Sequence, residues 1–141
     1  MKYLLDTCVL YECVKPAPNK KVLAWLEACD ENTLFLSVLT LGEIQKGITK
    51  LKSGKRKTKL QHWLDIHLRT RFSERILPID QDVARTWGRI QGEAEGHGMP
   101  LPTIDGLLAA TALTHNLVFV TRNLKDVQAT PAALLNPWKH A

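Results

Sequence analysis

Short apolar runs alternate along this chain with longer segments in which apolar residues recur at every third or fourth position. The short runs predict strands at 3–5, 34–36, 76–79, 117–120 and, as an edge strand, 132–135. The longer segments predict helices at 7–12, 18–29, 57–71 and 106–114, together with one that carries Glu43 and one that follows Asp80. Repeated strand, helix and strand elements indicate an α/β sandwich with a mainly parallel sheet.

Polar and flexible residues mark where these helices begin and end. Ser37 or Thr40 is placed to cap the third helix, and Asp80 to cap the helix after the third strand. A turn between two helices is predicted at Ser53-Gly54. The tryptophans lie mostly on apolar helical faces and are expected in the core: Trp25, Trp63, Trp87 and Trp138.

Length and composition fit one globular domain and exclude several other classes of protein. A chain of 141 residues can bury a substantial core, so we expect a single domain over 1–141. Hydrophobic residues make up 45% of the chain and charged residues 23%, which argues against disorder. No apolar run approaches the roughly 18 residues of a membrane span, and no leader-like segment precedes the first strand. We therefore expect a cytoplasmic protein that is not associated with a membrane.

The three cysteines do not form a metal or redox motif. Cys8, Cys13 and Cys29 are odd in number and lack the C-x-x-C spacing of zinc and thiol-exchange sites. We interpret them as buried, reduced thiols.

The chain is basic, which favours a polyanionic partner. Its net charge is +5 and its pI about 9.2. Seven lysines and arginines fall between positions 46 and 59. Such a run is often only a solvated face, but this one follows Glu43 closely, and phosphate contacts near a metal site would hold a nucleic-acid backbone in register. Lys46 and Lys50 are therefore weak candidates for RNA contact.

Four carboxylates stand at or just after apolar runs, far apart in sequence. Asp6 follows the first strand, Glu43 lies in the third helix, Asp105 precedes an apolar helix, and Asp126 follows the fourth strand. The carboxyl ends of parallel strands share one edge of a sheet, where ligands bind in such folds. Acids gathered there would form the oxygen environment that Mg²⁺ and Mn²⁺ prefer. The pattern suggests a magnesium-dependent nuclease.

Each of these acids also has a purely structural explanation. Asp6 and Asp105 could cap the helices that follow them. Glu43 could be a helix-surface acid, although Gly42 and Gly47 on either side of it suggest a crowded face.

The polar neighbours of these acids are open to two explanations as well. Asp126 could form a local turn through its own side chain. Thr7 and Thr121 could hydrogen-bond to the carboxylates and hold them in place, or simply satisfy turns. Arg122 could balance charge in an acidic pocket, contact phosphate, or lie on the surface.

Taken in order, the motifs resemble a PIN-domain ribonuclease of the toxin type found in bacterial toxin–antitoxin pairs. The final L-N-P-W is similar to the plasmid-stability, VapC/FitB-like branch of that family. No single motif is specific, but the ordered set spans the chain. The matching segments are L-D-T-C-V-L from Leu5, S-V-L-T-L-G-E-I-Q-K-G-I from Ser37, L-P-I-D from Leu77, W-G-R-I from Trp87, I-D-G-L-L-A-A-T-A from Ile104, V-T-R-N-L-K-D-V from Val120 and L-L-N-P-W from Leu134.

The resemblance implies a PIN-like three-layer sandwich, with a central parallel sheet between helices and an acidic pocket at its carboxyl edge. Asp6, Glu43 and Asp105 match the three acids that the family shares, and they would bind Mg²⁺ or Mn²⁺. Many members have a fourth acid where this chain has Asn123, whereas Asp126 matches a second acid common in this branch. Either residue could complete the site.

The resemblance also implies an activity and partners. The expected reaction is endonucleolytic hydrolysis of an RNA phosphodiester bond by a metal-activated water, with Asn123 or Asp126 orienting a second water or ion. A loop of structured RNA is the expected substrate because its bases are unstacked. The expected partners are a small VapB/FitA-like antitoxin, whose tail reaches the acidic pocket, and a second copy of the chain in a homodimer.

Two other functions remain compatible with the sequence. Asp6 could be the covalent nucleophile of a phosphatase, but such enzymes usually need a second acid two residues later, where this chain has Cys8. The other alternative is a catalytically inactive PIN-like module that binds RNA or protein, because Asn123 is neutral.

Overall fold

A parallel sheet forms the centre of the protein in the computed structural model, which describes residues 1–139. The strands are β1 (Tyr3–Leu5), β2 (Leu34–Ser37), β3 (Ile76–Leu77), β4 (Val118–Val120) and β5 (Leu134–Leu135), in the order β3-β2-β1-β4-β5. Every neighbouring pair is parallel. The predicted α/β class is therefore confirmed. The last two residues of the predicted 1–141 domain lie outside the described part.

Helices connect the strands. A π-helical segment, Trp63–Leu68, interrupts the helix that was predicted over 57–71. Within residues 1–139, none of the helices combines the length and the apolar character that crossing a membrane requires. The helices are α1 (Thr7–Glu12), α2 (Lys20–Ala28), α3 (Val38–Thr49), α4 (Lys55–His62), α5 (Arg69–Arg71), α6 (Gln81–Gly96) and α7 (Thr103–Thr114), with 3₁₀ turns at Glu31–Thr33 and Leu124–Asp126.

Polar caps explain where several helices begin. Ser37 caps α3 by accepting a hydrogen bond from the Leu39 N–H at 3.0 Å, whereas the Thr40 hydroxyl is buried and has no partner within residues 1–139. Asp80 caps α6, as predicted. Helix α2 begins two residues later than expected because Asn19, through its side-chain oxygen, accepts hydrogen bonds from the first turn.

The pleat of the strands sends alternate residues into two cores. Leu5 and Val120 pack with α1 to α4, whereas Leu4 and Phe119 pack on the other face with α6 and α7. A parallel sheet that is buried on both faces is typical of folds in which helices cover each side of the sheet. The three-layer sandwich is confirmed.

The topology brings the ends of β1 and β4 together at one edge of the sheet. Strand β1 is central, with β2 on one side and β4 on the other. The N–H of Asp6, immediately after β1, donates to the carbonyl of Val120 at the end of β4 over 2.9 Å. Residues that follow these two strands are therefore held close together.

The cysteines are free thiols, as predicted. Cys8 and Cys29 are half-buried, but Cys13 is exposed, so the expected burial is wrong at that position.

Candidate active site

Asp6 is buried at the carboxyl edge of the sheet and has both carboxylate oxygens engaged. Only 6% of the residue is exposed. Its Oδ1 accepts from the Thr7 N–H at 2.8 Å, which caps α1, and its Oδ2 accepts from the Thr121 hydroxyl at 2.7 Å. Asp6 thus caps α1, as one of the two explanations of this residue predicted. Thr121, immediately after β4, holds the carboxylate in place.

Cys8 adds a third, weaker contact to the same carboxylate. Its Sγ lies 3.8 Å from Asp6 Oδ2. Burial, followed by the charge of Asp6, raises the pKa of the Cys8 thiol to about 11, so the thiol is protonated at neutral pH. A neutral thiol cannot replace the second acid that a phosphatase would need at this position.

Glu43 extends from α3 toward Asp6 and is oriented by Thr7. The Thr7 hydroxyl donates to Glu43 Oε1 at 2.9 Å. Burial raises the pKa of Glu43 and the charge of Asp6 adds to that effect, while the Thr7 hydrogen bond and the Lys46 ammonium oppose it. Glu43 is therefore a half-buried residue of α3 that is both bonded to Thr7 and acted on by the charge of Asp6.

Asp105 lies within the first turn of α7 and does not cap that helix, because Pro102 occupies the cap position. Burial raises the pKa of Asp105 to about 6, and the charges of Asp6, Asp126 and Glu43 contribute to the increase. Since each of these acids acts on Asp105, the four carboxylates converge. We call Asp6, Glu43, Asp105 and Asp126 the acidic cluster.

Asp126 and Asn123 are both exposed in the segment that follows β4. The Asn123 N–H donates to the Thr121 hydroxyl oxygen at 3.1 Å, so the backbone of Asn123 is tied to the residue that supports Asp6. The Asp126 charge raises the pKa of Asp105. Of the two residues, Asp126 is the one whose charge acts on the cluster.

The three predicted RNA contacts lie in different surroundings. Lys46 is exposed on α3, and its charge acts on Glu43. Lys50 is exposed at the C-cap of the same helix. The Arg122 guanidinium lies over the Trp138 ring, 5.2 Å from its centroid, so it packs on the C-terminal segment.

Tyr11 is a neighbour of the cluster that the sequence did not single out. Burial raises its pKa, and so does the charge of Glu43, while Arg56 lowers it. A Cβ on Gly47 would lie 2.8 Å from the Tyr11 hydroxyl, whereas a Cβ on Gly42 would meet nothing within 4 Å. The crowding predicted around Glu43 is confirmed at Gly47 and wrong at Gly42. The glycine at position 47 is the feature of the sequence that indicated this close approach of Tyr11.

The acidic cluster has the chemistry of a magnesium site without a preformed cage. Within residues 1–139, no group of three or more His, Cys, Asp or Glu side chains is arranged to hold a metal ion. Mg²⁺ does not require such a cage, because it usually keeps several waters and binds through one or two carboxylates. Burial and the charges of the other three acids disfavour the ionised form of Asp105, and a bound cation would stabilise that form. The residues present fit Mg²⁺ or Mn²⁺.

Comparison with known proteins shows relatives that cover nearly the whole chain. The PIN domain model matches residues 3–129. Toxin FitB of Neisseria gonorrhoeae is 38% identical over 135 residues, which cover 96% of this chain and 97% of that protein. VapC ribonuclease Y4jK of Sinorhizobium fredii is 34% identical over 138 residues, covering 98% and 99%.

The fold agrees with these sequence matches. The crystal structure of FitAcB from Neisseria gonorrhoeae contains a chain that aligns with a TM-score of 0.93 at 37% identity, covering 98% of this chain and 99% of that one. The resemblance predicted from the ordered motifs is confirmed. A five-stranded parallel sheet and a family match over residues 3–129 lead to one conclusion: this chain belongs to the PIN domain family.

Proposed function

We propose that this chain is the toxin of a type II toxin–antitoxin pair and acts as an endoribonuclease that depends on Mg²⁺ or Mn²⁺. The observation that carries the proposal is the acidic cluster itself: burial raises the pKa of Asp105 to about 6, and the charges of Asp6, Asp126 and Glu43 add to that increase. Membership of the PIN domain family and the similarity to a VapC ribonuclease and to toxin FitB support it.

The acids and their neighbours would have distinct roles in this reaction. Asp6 and Asp105 would hold the ion directly, and Glu43 would bind the ion or one of its waters. When bound, the ion would lower the pKa of a water and stabilise the charge that develops on the phosphate. The hydroxyls of Thr121 and Thr7 restrict the rotation of the Asp6 and Glu43 carboxylates.

The segment after β4 would supply the remaining polar groups. The Asp126 carboxylate accepts hydrogen bonds and would orient a water from the open side of the cluster. The Asn123 amide both donates and accepts, so it would contact a water or a phosphate oxygen. Because the Asp126 charge acts on Asp105, we assign the larger share of this role to Asp126.

The proposed partners follow from the same charge arrangement. A toxin must be restrained in the cell that makes it, and a cluster of carboxylates can be blocked by an arginine, which binds carboxylates through two parallel hydrogen bonds. We therefore propose a small antitoxin with an arginine in its tail. A second copy of this chain in a homodimer is proposed separately, from the resemblance to PIN-domain toxins. The proposed place of action is the cytoplasm, where cellular RNA is found.

The test is cleavage of a panel of fluorogenic RNAs in Mg²⁺, Mn²⁺ or EDTA by the antitoxin-free chain. We expect cleavage that needs the metal and that falls roughly a thousandfold in Asp6→Asn and in Asp105→Asn, because each change removes several kcal/mol of charge stabilisation. Asp82→Asn, an exposed acid in the first turn of α6, is the matched control.

Each other result has a defined meaning. Undiminished cleavage by both variants would identify a contaminating nuclease. A folded parent that binds RNA but cleaves none of the panel with either metal would favour the catalytically inactive binding module instead.

A further inference from the structure

A cavity of about 580 Å³ lies between the segment after α1 and helix α4, and its electrostatic character is opposite to that of the acidic cluster. Its described lining contains no acid and presents an arginine, two lysines, two histidines and a tryptophan. These residues, which we call the cationic cavity, are Lys15, Arg56, Lys59, His62, Trp63 and His67.

Tyr11 connects the two sites. Its ring is tilted against that of Trp63, with the centroids 6.3 Å apart. Glu43 raises the pKa of Tyr11 and Arg56 lowers it, so Tyr11 lies within reach of both charges. Tyr11 therefore lies between Trp63, which lines the cationic cavity, and Glu43 of the acidic cluster.

The basic run of α3 and α4 divides into structural and unpaired cations. The Lys57 ammonium donates to the carbonyls of Thr49 and Leu51, at 3.3 and 3.2 Å, and closes the turn between the helices. Arg56 and Lys59 form no ion pair within residues 1–139. Of the basic run, these two residues line the cavity, and no ion pair among the described residues compensates their charge.

The π-helical segment shapes the wall of this cavity. The rings of His62 and His67 meet edge to face, with centroids 5.2 Å apart. In an α-helix, residues five apart point in directions about 140° different, but the wider π turn brings them onto one face. Such segments are frequent at functional sites. Trp63 lies between the two histidines in sequence and lines the same cavity while only half-buried, so it is not simply a core residue.

We propose that the cationic cavity is a subsite for single-stranded RNA, in which Arg56 and Lys59 bind backbone phosphates and a base stacks on Trp63. This inference rests on the proposed function and extends it to the nucleotides that flank the scissile bond. Cations that neutralise phosphates and aromatic rings that stack bases are the two components of single-strand recognition. Stacking on Trp63 requires an unpaired base, so the subsite selects against duplex RNA.

The test measures binding of the full chain to a labelled single-stranded RNA oligonucleotide of mixed sequence in EDTA, where cleavage plays no part. We expect Arg56→Gln/Lys59→Gln to weaken binding about tenfold and to reduce the salt dependence of log K by about 1.4, since two phosphate contacts are lost. The matched control is Lys52→Gln/Lys55→Gln, which removes the same charge from exposed positions outside the cavity lining.

Stacking is tested separately at Trp63. Trp63→Leu should weaken binding roughly five- to a hundredfold, whereas Trp63→Phe keeps a ring and should retain most of the affinity. A duplex form of the same oligonucleotide should bind weakly to the parent and should not respond to either Trp63 substitution. Circular dichroism checks that each variant is folded, and if Trp63→Leu unfolds, the cation pair and the duplex comparison still decide the question.

Several outcomes overturn the inference. Equal losses of RNA affinity in Arg56→Gln/Lys59→Gln and in the control pair would show only non-specific attraction between the basic chain and RNA. Parental affinity in the cavity variants, whether or not the chain cleaves RNA, would remove the subsite while leaving the nuclease intact. Loss of antitoxin binding with unchanged RNA affinity would identify a protein-docking site. Conversely, a parent that binds RNA through the cavity but never cleaves it with metal would retain the subsite and contradict the nuclease.

Discussion

The two halves of the acidic cluster are held in different ways. In the bonded half, the Asp6 and Glu43 carboxylates accept hydrogen bonds from threonine hydroxyls at 2.7 and 2.9 Å. In the open half, Asp105 lies in the first turn of α7 and Asp126 in the segment after β4, and neither carboxylate accepts a hydrogen bond within residues 1–139.

The difference bears on the pKa values of the acids in the two halves. Hydrogen bonds to an ionised carboxylate favour its charged form, so they partly offset the repulsion on Glu43. Among the described residues, the Asp105 carboxylate accepts no such hydrogen bond, and burial, with the charges of the other three acids added, raises its pKa to about 6. A fixed half and an adjustable half suit an ion that demands near-ideal octahedral geometry, because the open carboxylates can move to complete the coordination that the bonded ones begin.

After the substitutions of Asp6 and Asp105 themselves, the largest effect is expected from removing a hydroxyl of the bonded half. Thr121→Val deletes the hydrogen bond to Asp6 at nearly constant volume, so we expect metal affinity and cleavage to fall about ten- to a hundredfold. Thr121→Ser keeps the hydroxyl and should remain close to the parent. Metal titrations followed by cleavage assays measure both. Parental metal affinity in Thr121→Val would show that the bonded half does not depend on this contact.

A smaller effect is expected in the open half, where Asp126 and Asn123 compete for one role. Asp126→Asn removes a charge that acts on Asp105, so the pKa of Asp105 should fall below about 6 and cleavage should drop about tenfold. Asn123→Ala should leave the pKa of Asp105 unchanged and reduce cleavage less. NMR titration of the Asp105 carboxyl in EDTA measures the first effect. If Asn123→Ala proved the more damaging, Asn123 would be the residue that completes the site.

Stability without metal provides a further test of the open half. The pKa of Asp105 rises on folding from 3.8 to about 6, so the folded protein holds this proton more tightly than the unfolded chain. The stabilisation is fully present below about pH 4 and is lost as the pH rises through about 6. Asp105→Asn should therefore increase the free energy of unfolding in EDTA by about 1 kcal/mol near neutral pH, after allowance for solvent screening of a half-buried group.

Urea unfolding at acidic and at neutral pH measures this difference. The gain should vanish near about pH 4, where Asp105 is protonated in the folded protein. Asp82→Asn, in an exposed position, should show no such pH-dependent gain. A stabilisation by Asp105→Asn that was equal at both pH values would point to a change in packing instead of relieved repulsion.

The smallest effect concerns the packing that supports Glu43. The Cβ that Gly42→Ala adds would meet nothing within 4 Å, so the substitution should stabilise α3 by about 0.5–1 kcal/mol. Gly47→Ala should lose that gain, because its Cβ would lie 2.8 Å from the Tyr11 hydroxyl. Thermal unfolding of both variants, and of Gly47→Ala combined with Tyr11→Phe, measures the contact. Equal stabilisation by the two alanines would show that Tyr11 moves aside without cost.

Most elements of the fold were predictable because the residue patterns that indicate them extend over only a few positions. The polar caps Ser37 and Asp80 and the apolar runs of β1 and β4 depend only on neighbouring residues. The edge strands were less predictable. Strands β3 and β5 are each two residues long where four were expected, because an edge strand has a partner on one side only to maintain its hydrogen bonds.

The π-helical segment was missed although the sequence contains a signal for it. The buried residues after the Ser53-Gly54 turn recur every fourth position, which is wider than the 3.6-residue turn of an α-helix. With Trp63 included, the spacings are three and four, which predict an ordinary amphipathic helix over 57–71. The residues that pack at this spacing are Leu60, Leu64, Leu68 and Phe72.

The sequence by itself determined the order of the strands and helices, the residues that follow each strand, and hence which acids could meet at one edge of the sheet. The tertiary structure alone decided that Thr121 bonds Asp6, that Thr7 bonds Glu43, and that burial together with three neighbouring acids raises the pKa of Asp105. The physical reason is distance along the chain. Periodicity and capping act over a few residues, whereas the Thr121–Asp6 contact joins side chains 115 positions apart and exists only once the sheet has formed.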